Sequence, residues 1–212
     1  MGDILQERDD NVYTNASNLA TTRKVQGDTN NRFQSFPDGK MQWGSGSATP
    51  DCTLQRAAAG VLQFSDGAVR GNIVSLATST TLSAATHANR LLLLTGTGSA
   101  FTQTLPAATG TGDRYLFVVG AVNTSNHVVN VTTDDVMYGN IITNSVSDSP
   151  DLAQPWPTAV DSDTITLNGT TTGGVAVGDY VECIDIATDK WMVRGVTTTS
   201  STEATPFSAA VS

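Results

Sequence analysis

Alternation of apolar and polar residues marks a series of short strands in the last two thirds of the chain. In Tyr180–Ile186, Val181, Cys183 and Asp185 fall on one face and Tyr180, Glu182, Ile184 and Ile186 on the other, because successive side chains of a strand point to opposite sides. Both faces carry apolar groups, which predicts a central strand. Ala187-Thr188-Asp189-Lys190 then turns the chain into Trp191–Val196, where Trp191, Val193 and Gly195 alternate with Met192, Arg194 and Val196, so the pair reads as a hairpin. The same reasoning predicts strands at Ile73–Ala77, Arg90–Leu94, Phe101–Leu105, Arg114–Ala121, Val128–Thr132, Val136–Thr143 and Thr164–Leu167. Asn123–Asn126 and Thr170–Gly174 read as turns, and Thr95–Gly98 and Thr109–Gly112 as hairpin turns, from their Gly, Asn and Thr content. No repeat of 20–50 residues is visible, which disfavours a solenoid or propeller. The predicted fold class is all-β, with residues 73–212 forming a β-sandwich or barrel body. Residues 144–163, with Pro150, Pro155, Trp156 and Pro157, read as a long exposed connection. The Thr/Ser/Ala-rich tail reads as an extended edge or a disordered end.

The opening third has a different pattern. Residues 1–37 are polar and contain no run of period 2 or 3.6 that could build a packed face. Such a segment orders only against a partner that supplies apolar surface. Ile4, Leu5, Val12, Tyr13, Leu19, Val25, Phe33 and Phe36 are spaced along it like anchors, which predicts an extended arm. About thirty extended residues reach on the order of 100 Å. Residues 38–72 combine turn signals, Asp38-Gly39 and Asp66-Gly67, with very short apolar strands, Met41–Trp43 and Val61–Phe64. So little bulk cannot make a monomeric core, and the physical remedy is to pool strands from three copies around one axis. Met41, Trp43, Leu54, Val61, Leu62 and Phe64 are the expected trimer-interface residues.

Charge narrows the function classes. A formal net charge of −9 argues against the phosphate-neutralising surface that nucleic-acid binding needs. The acidity is uneven: residues 1–70 hold seven Lys or Arg against eight acids, and residues 71–212 hold four against twelve. The start MGDILQERDD lacks the basic and apolar pattern of a secretory leader, Gln6 stands where myristoylation needs Ser or Thr, and no run reaches membrane-spanning length. The protein is therefore expected to be made in the cytoplasm of the producing cell, with no membrane partner. The Asn-x-Ser/Thr triplets at Asn15, Asn123, Asn130 and Asn168 read as chance matches on this basis. Cys52 and Cys183, far apart and without a Cys/His cluster, read as separate thiols.

Groups able to carry out catalysis are thin. His87 and His127 lie in different segments, outside any recognisable motif, and read as surface or strand-end residues. The Gly-rich turns lack a following Gly-Lys-Ser/Thr and a helix, so they do not cradle phosphate. Asp134-Asp135, Asp148 with Asp151, and Asp161 with Asp163 do not follow an EF-hand spacing and read as solvated loop carboxylates, and aromatic residues to flank a glycosidase pair are few. Among the tryptophans, Trp191 is placed in the core, Trp43 in the trimer, and Trp156 either in an exposed contact or packed under its loop. No enzyme activity, cofactor or metal is expected.

Two stretches carry a resemblance. Trp43, Gly44, Pro50, Asp51, Leu54, Arg56, Ala58 and Leu62 resemble a module of phage head-fibre and tail-fibre proteins, with Cys52 where a small or β-branched polar residue is usual. Leu105, Pro106, Gly112, Tyr115, Phe117, Val136, Met137 and Gly139, continued by residues 178–195, resemble a β-domain of phage capsid decoration (cement) proteins. The resemblance covers roughly residues 38–196. It implies a homotrimer on the outside of the virion capsid, with the major capsid protein as partner: an arm at 1–37 that binds the capsid, a trimerisation module at 38–72 and a projecting body at 73–212. The rival it leaves open is a tail-fibre, tail adaptor or receptor-binding protein that recognises a host glycan.

Overall fold

The computed structural model describes residues 19–58, 61–66, 73–132, 134–146 and 153–211, with only the backbone at 61, 62 and 64–66. It divides into two compact units, Met1–Arg70 and Gly71–Ser212. Nearly all of the described regular structure is β, as the alternation predicts.

The first unit is a five-stranded antiparallel sheet in chain order: β1 (Thr21–Arg23), β2 (Phe33–Ser35), β3 (Met41–Trp43), β4 (Cys52–Ala58) and β5 (Val61–Asp66). The β2–β3 hairpin forms at Asp38-Gly39, as the turn signal predicts. Gly39 takes φ +84°, its N–H donates to the Phe36 carbonyl, and the Lys40 N–H donates to Asp38 Oδ1 at 2.9 Å. The sheet crosses the expected boundary at 37/38, because β2 pairs with β3 from Phe33↔Trp43 to Ser35↔Met41. Thr21–Arg23 and Phe33–Ser35, expected in the extended arm, are thus strands of this sheet. The sequence hides this because three-residue strands are too short to show a period.

The body is a two-layer sandwich. One layer has seven strands in the order β13 (Ala153–Pro157), β12 (Val136–Ser145), β16 (Lys190–Thr199), β15 (Tyr180–Ala187), β10 (Arg114–Val119), β8 (Arg90–Leu94) and β6 (Ile73–Leu76). The other has β17 (Phe207–Ser208), β14 (Thr164–Leu167), β11 (His127–Asn130), β9 (Phe101–Thr104) and β7 (Thr80–Thr81). The four-residue helix α1 (Ala84–His87) lies between β7 and β8. All nine predicted body strands are present. β15 is central and forms the expected hairpin with β16, its turn set by Asp189 at φ +57°.

The path between strands differs from expectation. From β6 to β11 the chain alternates between the two layers, so that β6, β8 and β10 pair in parallel, as do β7, β9 and β11. Thr95–Gly98 and Thr109–Gly112 are therefore crossovers between layers rather than hairpin turns. This winding has the parallel character of a solenoid without a sequence repeat. At Gly96 a Cβ would come within 2.3 Å of the Phe101 ring, so the chain passes tightly over Phe101 as it changes layer.

Between the layers, Trp191, Tyr115, Phe117, Leu92, Met137 and Ile141 meet Leu105, Val129, Ile165 and Leu167, all at most 2% exposed. Tyr115 and Trp191 pack edge to face at 5.6 Å, an arrangement aromatic rings favour. Residues 153–157, expected in a loop, form the edge strand β13. Prolines fit there because the edge needs no outward N–H donor.

Gly139 joins β12 to β16 where no side chain fits: φ is +149° and a Cβ would lie 1.8 Å from the Val193 carbonyl oxygen. Gly139→Ala should cost more than about 4 kcal/mol or prevent folding. Gly98→Ala, at φ +82° with open space around it, should cost about 1–2 kcal/mol. Chemical denaturation of the two variants checks the contrast.

Candidate interaction surfaces and buried polar sites

In the first unit the register sorts side chains into a polar and an apolar face. Thr22, Gln34, Gln42 and Thr53 stand in one cross-strand row. Gln34 Nε2 donates to Gln42 Oε1 at 2.5 Å, and Gln42 Nε2 donates to Thr53 Oγ1 at 3.1 Å. Thr53 is buried. Phe33, Trp43 and Cys52 form a row on the opposite face, beside Met41 and Leu54, with Phe33 and Trp43 5.7 Å apart. This apolar face is open: Trp43 is 37% and Met41 41% exposed. No hydrophobic side chain among residues 19–58 is fully buried.

The expected trimer residues Met41, Trp43 and Leu54 are thus brought onto one face, and the backbone pairs Phe64 with Leu54. The side chains of Val61, Leu62 and Phe64 lie outside the described residues. Of the expected capsid contacts, Ile4, Leu5, Val12 and Tyr13 also lie outside them. Leu19 and Val25 are exposed at 47% and 56%, whereas Phe33 and Phe36 are half-buried, Phe36 under the Lys40 ammonium at 3.9 Å.

The body's carboxylates correct the sequence reading. Asp135 and Asp163, expected in solvent, are buried, as are Asp179 and Asp185. Asp185 accepts hydrogen bonds from the N–H groups of Thr109, Gly110 and Thr111 and from the Thr111 hydroxyl, at 2.6–3.1 Å. Burial pushes its pKa up, but these donors outweigh burial and hold it below the ordinary carboxylate value. Asp179 accepts from Gly174 N–H, Thr198 N–H and the Thr198 hydroxyl. Asp135 accepts from Ala108 N–H and Trp191 Nε1–H, and Asp163 from Ala210 and Val211 N–H in the tail. Each aspartate ties a connection to the sandwich. Charge along a sequence does not reveal burial, because the donors that make it possible are mostly backbone N–H groups of distant segments.

Asp134, Asp135, Asp161 and Asp163 line a cavity of about 290 Å³. Two of these carboxylates are committed to the hydrogen bonds above, and among the described residues no group of three or more His, Cys, Asp or Glu is arranged to hold a metal ion. Asp148 and Asp151 lie outside the described residues.

The histidines are buried rather than surface groups. His127 Nε2 donates to the Ala121 carbonyl at 3.1 Å, and burial, partly offset by that bond, lowers its pKa. His87 Nδ1 accepts the Ser83 N–H at 3.0 Å. Cys52 and Cys183 are both free, as expected, and burial drives the Cys183 thiol pKa up. Trp191 is in the core, and Trp156 packs against the core's edge from β13.

Comparison with known proteins adds no relative: no family model, no curated protein and no solved structure matches the chain.

Two acid losses of stability should separate on the pH scale. The lowered His127 pKa means that the unfolded chain takes up a proton that the fold refuses, so stability falls as pH drops below its ordinary value of 6.5. His127→Gln should remove this step between about pH 7 and pH 5. The lowered Asp185 pKa gives stability that is complete above 3.8 and is lost as pH falls toward the folded value. Asp185→Ala should cost about 3 kcal/mol at neutral pH, the difference shrinking in strong acid. Denaturant titrations across pH check both.

Proposed function

We propose that the chain is a phage virion structural protein that binds the outer surface of the capsid as a homotrimer and decorates or stabilises the head. One observation carries the proposal: the first unit has an apolar sheet face, with Trp43 and Met41 exposed, and no buried hydrophobic side chain among residues 19–58. A small sheet, three of whose five strands have three residues, gains little stability when its described apolar side chains stay exposed or half-buried, so copies of the chain pool these faces about the trimer axis. The N-terminal segment, with Ile4, Leu5, Val12 and Tyr13 followed by exposed Leu19 and Val25, supplies the anchors for the major capsid protein. The body, with twelve acids against four cations, is the outward part, its negative charge favouring solubility.

Several features support a structural rather than catalytic role. Both histidines are engaged with backbone groups inside the fold, and the four buried aspartates are spent on fastening loops. Multivalent binding around a symmetry axis adds retention without strong individual contacts, which suits a protein whose task is to stay on a shell.

Labelled full-length protein added to undecorated heads should bind saturably. Removing residues 1–18, which leaves the five strands intact, should weaken binding by about 100-fold or more, and Leu19→Asp with Val25→Asp should weaken it further. Normal decoration by the truncated protein would contradict the anchoring role. Binding to host cells but not to heads would favour the receptor-binding alternative.

A further inference from the structure

The seven-stranded layer of the body has a second apolar face, turned away from the sandwich core. Residues that alternate with the buried row project there: Leu91 and Leu93 from β8, Leu116 and Val118 from β10, Ile184 from β15 and Met192 from β16. All six are half-buried. Around them Ile73 is 64% exposed, Tyr138 42%, Ile142 39% and Tyr180 37%. A sheet that needed only one covering layer would carry polar residues in these positions.

The polar groups on this face are unusual for the body. Glu182, on β15 and 4% exposed, is clamped between Arg114 and Arg194. Burial pushes its pKa up, but the two guanidinium groups more than compensate and hold it low. Their side chains remain 53% and 59% exposed, with donors unspent. Arg90 joins Arg114 and Glu182 around a shallow cavity of about 350 Å³ on the same side. Three of the body's four cations therefore cluster here, and its one lysine, Lys190, does not line the cavity.

We infer that this outer sheet face is the surface through which the body packs against further copies of the same chain. Size is the first argument. Seven strands at about 4.8 Å and about six residues along them give a whole face of roughly 600 Å², on which the apolar side chains surround Glu182 and its two arginines. It is of the order of the about 800 Å² that each partner gives to a standard interface. A single extended segment, one strand wide, would cover only a fraction of it. Composition is the second: tyrosine, methionine and arginine on an apolar field, with few acids, are the residue types enriched in interfaces. Shape is the third. A twisted sheet is covered well by another sheet of similar twist, and a symmetric copy supplies one automatically. The copy also brings acceptors for the unspent guanidinium donors, such as Asn140 and Asn144 from the outward row of β12.

This inference rests on the trimer reading and deepens it, by adding an interface in the body to the one expected in the first unit. The test is sedimentation of the full chain over a dilution series for wild type, Met192→Glu and Val118→Glu. Both variants place a charge at a half-buried position of the outer face, so thermal melts at low concentration check that each still folds. Ile142→Lys, at a position already 39% exposed, replaces either one that melts early. Wild type should be oligomeric, and each variant should dissociate at a concentration higher by on the order of 30-fold or more. An oligomer unchanged by all three substitutions would overturn the body interface while leaving the trimer reading intact. A wild-type monomer at every concentration would overturn both.

Discussion

The body is held by backbone N–H groups closing on buried carboxylates. Asp135, Asp163, Asp179 and Asp185 sit where connections between the two layers, or the chain's tail, meet the sandwich. A buried ionised carboxylate is costly unless its lone pairs are filled, and here several donors converge on each. Crossovers rich in Gly and Thr have little apolar weight of their own, so they are fixed by these charge-assisted bonds. Asp135 also accepts the Trp191 Nε1–H, so the same ties reach the ring that packs on Tyr115.

The two units solve the problem of stability differently. The body encloses a continuous core between its layers and adds the aspartate ties. The first unit has a ladder of Gln34, Gln42 and Thr53 on one face and the Phe33–Trp43 pair on the other, with no enclosed core among residues 19–58. A polar ladder fixes strand register, but it does not replace the hydrophobic contribution that three more covered side chains would make, about 1.5–3 kcal/mol each. In the proposed trimer, association supplies that contribution.

Strand positions in the body were legible in the sequence because alternation reports which face each residue occupies. Trp191 was placed in the core from its hairpin, and β15 at the centre of its sheet from its two apolar faces. Alternation does not report which strand is the neighbour, and so Thr95–Gly98 and Thr109–Gly112 read as hairpins although they cross between layers. Pro155 and Pro157 suppressed the strand signal at β13, an edge where proline is tolerated. Burial of Asp135 and Asp163 was invisible because the donors that make it possible are backbone groups from distant segments. On the interaction surfaces, Met41, Trp43 and Leu54 were legible as one apolar set. The outer face of the seven-stranded layer was foreshadowed only in the two-sided apolar pattern of Tyr180–Ile186.

The central claim is that the opening sheet acquires its stability from other copies. Amide hydrogen exchange of residues 33–58 in the full chain, followed from concentrated to highly dilute protein, tests it most directly. Strong protection at high concentration that disappears as the protein dissociates, while the core strands of the body stay protected, is the outcome this account requires. Protection of that segment that persists undiminished in a dissociated monomer would contradict it.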